Sequence, residues 1–353
     1  MKKIYLLAVV ALFGVGSLHA QNYANTVQST LEFMNIPMDA RAAGMGDLGV
    51  ATTPDGHSHQ YNPSKYLFDS SKAGAALTYS PWMRNLVKDM NISSVTGYYK
   101  LDDMQSISAS FKYFSLGDMV FMDDDGRETS TEHPYELTFD AAYARKLSEN
   151  FGLGVTFRYA LSNIFPSIDN YSKGWAITAD IGAYYHKPTT VIGLPSLVTA
   201  GASIGNIGTK VSYVDDGASY FMPMALKLGA GITSDLDDAN KLMLGLELSR
   251  SLVPTSTEDL DKSSLSGMFA SLGEGNFRSV AWSFGAEYSF NNMFYARAGY
   301  YYQDKNWGNR QNFTFGAGVK YKIIYFNAAY LVPTSTKHNP MGNTLRLSIA
   351  VDI

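Results

Sequence analysis

The feature that most restricts the fold of this chain is a long series of segments in which large apolar residues alternate with small, hydroxyl or basic residues. The series runs from about residue 73 to residue 353 and includes Ile107-Ala109-Phe111-Tyr113, Leu153-Val155-Phe157-Tyr159 and Phe313-Phe315-Ala317-Val319-Tyr321. Because side chains alternate between the two faces of a β-strand, each segment places its apolar groups on one face of a sheet. Tight turns, such as 101–103, alternate with long connections, such as 251–278. This combination predicts an all-β fold, a transmembrane antiparallel β-barrel of the outer-membrane type.

The first twenty residues have the composition of a secretory signal peptide. Lys2 and Lys3 precede an apolar run at 4–15, and small residues follow as far as Ala20. The run is shorter than the about 20 residues that a membrane-spanning helix needs. We therefore expect residues 1–20 to be removed on export. The chain contains no cysteine, which excludes acylation on cysteine and disulfide bonds.

The composition favours a membrane barrel over a secreted soluble β-sandwich, which would also show alternation. Charged residues are 17% of the chain, against about 25% in soluble domains. The 24 tyrosines and 19 phenylalanines suit the aromatic girdles at the two membrane interfaces. A net charge of −4 provides no basic surface for nucleic acid.

The alternating segments predict a 14-stranded barrel. We place its strands near residues 73–81, 91–101, 104–116, 135–147, 150–163, 173–187, 197–206, 220–233, 240–250, 279–290, 293–303, 311–322, 323–331 and 342–353. An even number places both chain ends on one side of the membrane, the periplasmic side for an exported protein. The last strand should then close the barrel against the first. On the periplasmic side, Pro188 and Pro195 predict a longer connection at 188–196, and another is expected at 234–239.

The N-terminal segment, 21–72, lacks strand alternation and is expected to form a plug, with residues 73–353 as the barrel. A 14-stranded lumen is too wide for wall side chains alone to fill. The residues of interest in this segment are small or polar, namely Asp39, Arg41, Gly44, Gly46, Asp47, Asn62 and Pro63. Their glycine spacing matches no nucleotide-binding loop. We expect the charged members to pair with lumenal groups such as Lys112 and Arg158.

Several segments resemble a known family. Residues 37–47 and 62–66 resemble the opening of the PorV/PorQ proteins of the type IX secretion system. Asn62-Pro63-Ser64 is similar to the Asn-Pro-Ala element of the wider FadL-like barrels. Three further segments look like the PorV branch of the family: 80–86, 97–101 and 113–118. The resemblance implies a FadL-like barrel of 14 strands in the outer membrane of a Bacteroidota-type bacterium.

The resemblance also implies a function, which composition and periodicity do not. Proteins of this family act as shuttles, which take cargo, recognised by its C-terminal signal domain, from the type IX translocon barrel. They deliver it to a cell-surface attachment complex with a sortase-like protease, where cargo is released or joined to lipopolysaccharide. The expected partners are therefore that translocon, cargo signal domains, the attachment complex and outer-membrane lipids. Two alternatives stay open: a FadL-like transporter of hydrophobic small molecules, and a lipopolysaccharide deacylase.

The sequence contains no motif that predicts catalysis or a cofactor. Without cysteine, a hydrolase would need serine, threonine or aspartate as nucleophile together with a base. No histidine stands in a nucleophile motif, and His57 and His59 are expected to be solvent-exposed plug residues. The cluster Asp123-Asp124-Asp125-Gly126 has no calcium-loop spacing, and its Asp-Gly pair is typical of a turn. We predict that the protein is not an enzyme and holds no metal.

The first long connection, 82–90, begins with residues that suit a contact surface: Trp82, Met83, Arg84 and Leu86. The tryptophan also fits the aromatic belt at the membrane surface. Exposed tryptophan, methionine and arginine are enriched at protein interfaces. We therefore expect this connection and 251–278 to contact cargo or the translocon.

Overall fold

The computed structural model describes the 353-residue chain in six stretches: residues 29–83, 89–123, 125–165, 171–215, 217–334 and 344–353. The signal-peptide prediction, Arg84, Leu86 and Asp124 lie outside these stretches. In the part that is described, fourteen strands form one closed barrel. They are β1 (Ala73–Pro81), β2 (Asn91–Lys100), β3 (Gln105–Ser115), β4 (Tyr135–Ser148), β5 (Phe151–Asn163), β6 (Gly174–Val191), β7 (Leu194–Gly208), β8 (Ala225–Asp235), β9 (Asn240–Ser251), β10 (Val280–Phe290), β11 (Phe294–Tyr302), β12 (Gln311–Tyr321), β13 (Ile324–Pro333) and β14 (Leu345–Asp352).

The predicted 14-stranded antiparallel barrel is confirmed. Each strand pairs with its neighbours in the chain, and β14 pairs with β1 from Gly74 opposite Asp352 to Tyr79 opposite Leu347. The alternation has the expected consequence in β12. Phe313 is 50% exposed on the lipid-facing side, whereas Thr314 beside it is 1% exposed in the lumen. Tight turns join the strands at one end of the barrel, the turn end, and long connections join them at the other, the loop end.

The predicted connection at 188–196 is wrong. β6 and β7 continue through Pro188 and Pro195 to a two-residue turn at Ile192 and Gly193, whose φ angles are 51° and 79°. Such a turn matches the twist of a two-stranded ribbon. The ribbon extends beyond the last pair on each flank, Phe151 of β5 opposite Tyr185 and Ser234 of β8 opposite Ser196. Each proline therefore has an unpaired side and removes no ladder hydrogen bond that the barrel needs.

The eighth strand begins at Ala225 and not near residue 220 as predicted. Residues 221–224 instead fold across the loop end, where Phe221 and Met222 are buried. The peptide N–H of Thr30 donates to the Phe221 carbonyl at 3.0 Å. The apolar cluster at this end of the barrel combines three parts of the chain: the N-terminal segment, the long connections and the strand ends.

The described part of the N-terminal segment, 29–72, lies inside the barrel. It contains helix α1 (Ala40–Ala43) and three 3-10 turns, of which the last is Pro63–Phe68. α1 contacts β12, β13 and β14, while the turn at Pro63–Phe68 contacts β2 to β6 on the opposite wall. A side chain caps the start of each of these two elements. Asp39 accepts the N–H groups of Arg41 and Ala42 at the start of α1, and Asn62 accepts that of Ser64 at the start of the turn at Pro63–Phe68. The boundaries at 21–72 and 73–353 stay a prediction.

Two glycines explain the small-residue composition of the plug. A Cβ atom on Gly44 would lie 3.0 Å from Gly316 Cα in the wall. A Cβ on Gly46 (φ 73°) would lie 2.9 Å from the carbonyl oxygens of Phe284 and Tyr300. At both positions only glycine lets the plug backbone rest directly on the wall backbone.

The long connections contain secondary structure of their own. Short hairpins pair 119–122 with 128–132 and 211–212 with 219–220. Helix α2 (Ser264–Gly273) lies in the longest described connection. The predicted turn after residue 122 is present, because the Asp123 carboxylate accepts the N–H groups of Asp125 and Arg127. Among the described helices, none is long and apolar enough to cross a membrane.

Candidate functional site in the plugged lumen

The plug is attached to the wall by a buried ion-pair network. Arg41 binds Glu287 of β10 through two parallel hydrogen bonds, Nε to Oε2 and Nη2 to Oε1, each 2.9 Å. Arg297 of β11 donates to the same carboxylate at 2.6 Å. Arg41 also pairs with Asp55 of the plug at 2.9 Å. Charge-assisted pairs with this geometry are the strongest hydrogen bonds in proteins, so one carboxylate holds two arginines.

The charged plug residues pair with wall residues, but the partners predicted for them, Lys112 and Arg158, are wrong. Asp47 binds Arg346 of β14 at 2.7 Å. Arg158, on the opposite wall, pairs with Asp140 and Asp180 instead. The reason is geometric, since residues 39–47 lie against β10 to β14 and do not reach β5. Lys112 also binds the plug, but through the carbonyl oxygens of residues 34 and 36, each at 3.3 Å.

Backbone N–H and carbonyl groups of the plug form hydrogen bonds with buried charged side chains. The Glu247 carboxylate of β9 accepts the N–H groups of Gly49 and Val50, both at 2.9 Å. Within the plug, Lys65 Nζ donates to the Gly49 carbonyl at 3.0 Å and to the Thr52 hydroxyl at 2.9 Å. Burial lowers the pKa of the Lys65 amine. These contacts fix the loop that follows the glycine motif.

The two plug histidines are buried and not solvent-exposed as predicted, each with 2% exposure. His59 Nδ1 lies 2.7 Å from Ser108 Oγ, and its Nε2 lies 3.8 Å from Asp140. These residue types match a hydrolase triad. However, 3.8 Å is beyond hydrogen-bond distance, Asp140 is bound to Arg158, and Ser108 is only 8% exposed. The arrangement therefore packs the plug and lacks the geometry of an activated serine.

Three of the cavities in the described part of the chain lie between the plug and the wall. The one at the turn end has about 220 Å³ and includes Arg41, Asp55 and Glu287. A cavity of about 60 Å³ lies between Lys112 and Arg158. The largest of the three, about 570 Å³, lies at the loop end and extends up to the connection 303–310. All three are lined by charged side chains.

The loop-end cavity has both signs of charge. Its charged lining residues, apart from Arg250 on the outer face of β9, are Glu32, Asp47, Glu247, Lys227, Lys305 and Arg310, three of each sign. Arg310 stacks 4.6 Å from the Tyr301 ring centre, and its Nη2 lies 3.6 Å from Asp47 Oδ2. Its Nε and Nη2 atoms donate no hydrogen bond to any described residue. Both nitrogens are buried, and Asp47 also binds Arg346, so the guanidinium brings a cationic charge that is only partly compensated to the wall of the cavity.

The expectation that Trp82 is exposed, in the aromatic belt or on a contact surface, is wrong. It is 5% exposed and meets Phe114 edge-on, at 6.4 Å between ring centres. Phe114 in turn stacks on Phe33 of the plug. The physical reason is register, because Trp82 continues the lumenal phase of Thr78 and Ser80 in β1. Met83 packs half-buried against the same cluster. Whether this connection binds cargo stays a prediction.

Comparison with known proteins identifies a family from the sequence and solved barrels of similar structure. The profile of the family described as "Type IX secretion system protein PorV" matches residues 19–258. No curated protein sequence matches the chain.

Similar solved structures include a monoaromatic hydrocarbon channel, the TodX deltaS2S3 mutant. It is 10% identical, with 89% of this chain and 98% of that chain covered, at a TM-score of 0.54. A Pseudomonas aeruginosa FadL homologue is 11% identical, with 93% and 100% covered, at a TM-score of 0.47. At 10% identity the likeness to the TodX mutant shows the fold alone.

Proposed function

This chain belongs to the PorV family of type IX secretion system proteins, and from that premise we propose that it is a noncatalytic carrier of secreted cargo. It binds the C-terminal signal domain of cargo, collects cargo from the translocon barrel and delivers it to the cell-surface attachment complex. The protein lies in the outer membrane. In this proposal the loop end faces the cell exterior and both chain ends are periplasmic.

The observation that most supports the proposal is the contrast between the two ends of the lumen. The plug binds the wall through Glu287, Glu247 and Arg346 around the barrel, so these contacts oppose passage through the lumen. The larger cavity, by contrast, lies among the long connections. A protein that binds a polypeptide at one surface can use such a cavity and needs no open channel.

The alternative function, transport of a hydrophobic small molecule, fits the lumen less well. It requires an apolar pocket between plug and wall, whereas the three described cavities are lined by charged groups. It also requires a lateral gap. The strand pair β6–β7 is irregular near Asn206, whose φ is 62°. That irregularity is filled, because the Asn206 amide donates to Asn35 and to the Pro223 carbonyl.

The test is the affinity of the purified barrel for a cargo signal domain. Replacing Arg310 by glutamine removes the guanidinium charge from the wall of the loop-end cavity. We expect binding to weaken by about 10- to 100-fold, since a hydrogen bond to a charged group contributes about 1.5–3 kcal/mol. Titration calorimetry in detergent measures the difference.

The matched control is Arg127→Gln in the hairpin 119–132, because the Arg127 side chain is 78% exposed and does not line the cavity. It should leave the affinity unchanged. If Arg310→Gln and the wild type are both folded and bind cargo with equal affinity, the loop-end cavity is excluded as the cargo-binding site. The unfolding temperature of each variant is measured to verify that it is folded.

A further inference from the structure

Helix α2 belongs to a part of the chain that covers the lipid-facing side of the wall. Leu226 of β8 alternates with Lys227, which lines the lumenal cavities, so Leu226 faces the lipid side. It is nevertheless only 6% exposed. Met268 and Leu272 of α2 pack in the same apolar cluster as Leu226. A residue in the lipid-facing phase is therefore covered by protein at this edge of the barrel.

Hydrogen bonds also hold the C-terminal end of α2 against the wall at the level of Leu226. Arg250 is opposite Leu226 in the pairing of β8 with β9. Its Nη2 donates to the carbonyl oxygens of Ser271 and Glu274, at 2.9 and 2.6 Å. A cation near a helix C-terminus stabilises the helix. The position of α2 against this edge is thus fixed by both packing and charge.

The outer face of α2 is apolar and uncovered. Leu265 is 54% exposed and Phe269, one turn later, is 65% exposed. Gly267, toward the other side, is buried against the Phe221 ring. The helix, 264–273, contains no charged residue. Leu265 and Phe269 therefore form an apolar patch on one face of the helix that no described residue covers.

This face lies in the same connection as the aromatic belt of the barrel. Phe277, 57% exposed, meets Trp282 edge-on at 4.8 Å between ring centres. Trp282 stacks on Phe284, which is 49% exposed on the lipid-facing side of β10. Tryptophan and other aromatic residues at strand ends mark the boundary between membrane and water.

We propose that α2 is an interfacial anchor whose outer face, Leu265 and Phe269, inserts into the hydrocarbon of the adjoining membrane leaflet. Continuity with the aromatic belt favours lipid as the occupant, and the helix brings no charged side chain whose insertion into hydrocarbon would be costly. The anchor would hold the connection 251–278 close to the membrane, at the rim of the loop-end cavity. This inference is independent of which cargo the cavity binds.

The absence of cysteine makes a direct test possible. A single cysteine is introduced as Phe269→Cys, labelled with an environment-sensitive fluorophore, and the barrel is placed in phosphatidylcholine nanodiscs with or without doxyl-labelled lipid. Phe284→Cys is the lipid-exposed control and Lys262→Cys the water-exposed control. The label on Phe269→Cys should be quenched by doxyl lipid to within about twofold of the label on Phe284→Cys.

Quenching by aqueous iodide equal to that of Lys262→Cys, with no doxyl quenching, would overturn the proposal. Protection from iodide that appears only when a partner barrel is added would also overturn it, because the face would then belong to a protein interface. Leu265→Cys provides a second position, so that one poorly folded variant does not decide the outcome.

Discussion

Replacing Glu287 by glutamine should destabilise the folded protein by about 3–5 kcal/mol, the usual cost of removing one partner from a buried ion pair. The change leaves Arg41 and Arg297 without their shared counter-charge. Their side chains are only 12% and 2% exposed, so two mostly buried arginine charges lose a compensating carboxylate. Thermal unfolding in detergent, followed by circular dichroism and by the gel shift of unfolded barrels, measures the loss.

The matched control for Glu287→Gln is Asp235→Asn at the turn end. Asp235 pairs with Lys241, but these side chains are 44% and 36% exposed, so we expect a change of about 0–1 kcal/mol. Arg41→Gln should cost less in the Glu287→Gln background than in the wild type, because the two groups interact directly. Equal stability of Glu287→Gln and Asp235→Asn would contradict a network that holds the plug.

Replacing Gly299 by alanine should displace the plug. A Cβ atom at this position would lie 2.3 Å from the backbone nitrogen of Gly46 and 2.3 Å from the carbonyl carbon of Met45. Backbone cannot move aside as a flexible side chain does, and overpacking of this kind costs about 1–3 kcal/mol. We expect ion conductance in planar bilayers to rise above that of the wild type, because the plug no longer seats against β11.

Gly97→Ala is the control for this substitution. Gly97 is also a wall glycine, but its added methyl group would meet nothing closer than 3.8 Å. It should leave stability and conductance unchanged. If Gly299→Ala conducts no more than Gly97→Ala and unfolds at the same temperature, the close approach of plug and wall does not seal the lumen.

Local patterns were sufficient to predict the strands. The alternation of Phe313 with Thr314 depends only on adjacent residues. The closing of β14 on β1 follows from the need of a membrane barrel to leave no edge, and the even strand count makes that pairing antiparallel. The connection predicted from Pro188 and Pro195 was wrong because strand pairing between distant residues decides whether a proline interrupts a strand. A proline is tolerated where one side of a strand is unpaired, and pairing of β5 with β6 was not known from the sequence.

The candidate site was less predictable because its contacts join distant parts of the chain. The partner of Arg41 is 246 residues away at Glu287, and the spacing of residues in one strand does not specify its neighbour across the lumen. The sequence nevertheless contained a usable signal. Glu287 and Arg297 are charges within amphipathic strands, in the phase opposite to the large apolar residues, where a membrane barrel can place them only inside.

The most direct test of the carrier proposal is photo-crosslinking in living cells that are secreting cargo. A photo-reactive residue replaces exposed Lys305 in the loop-end cavity or exposed Asn292 in the turn-end cavity. Both variants are expected to fold, because neither side chain is buried. We expect crosslinks to cargo signal domains from position 305 and none from position 292. Crosslinks from position 292 alone, or from neither position during active secretion, would contradict it.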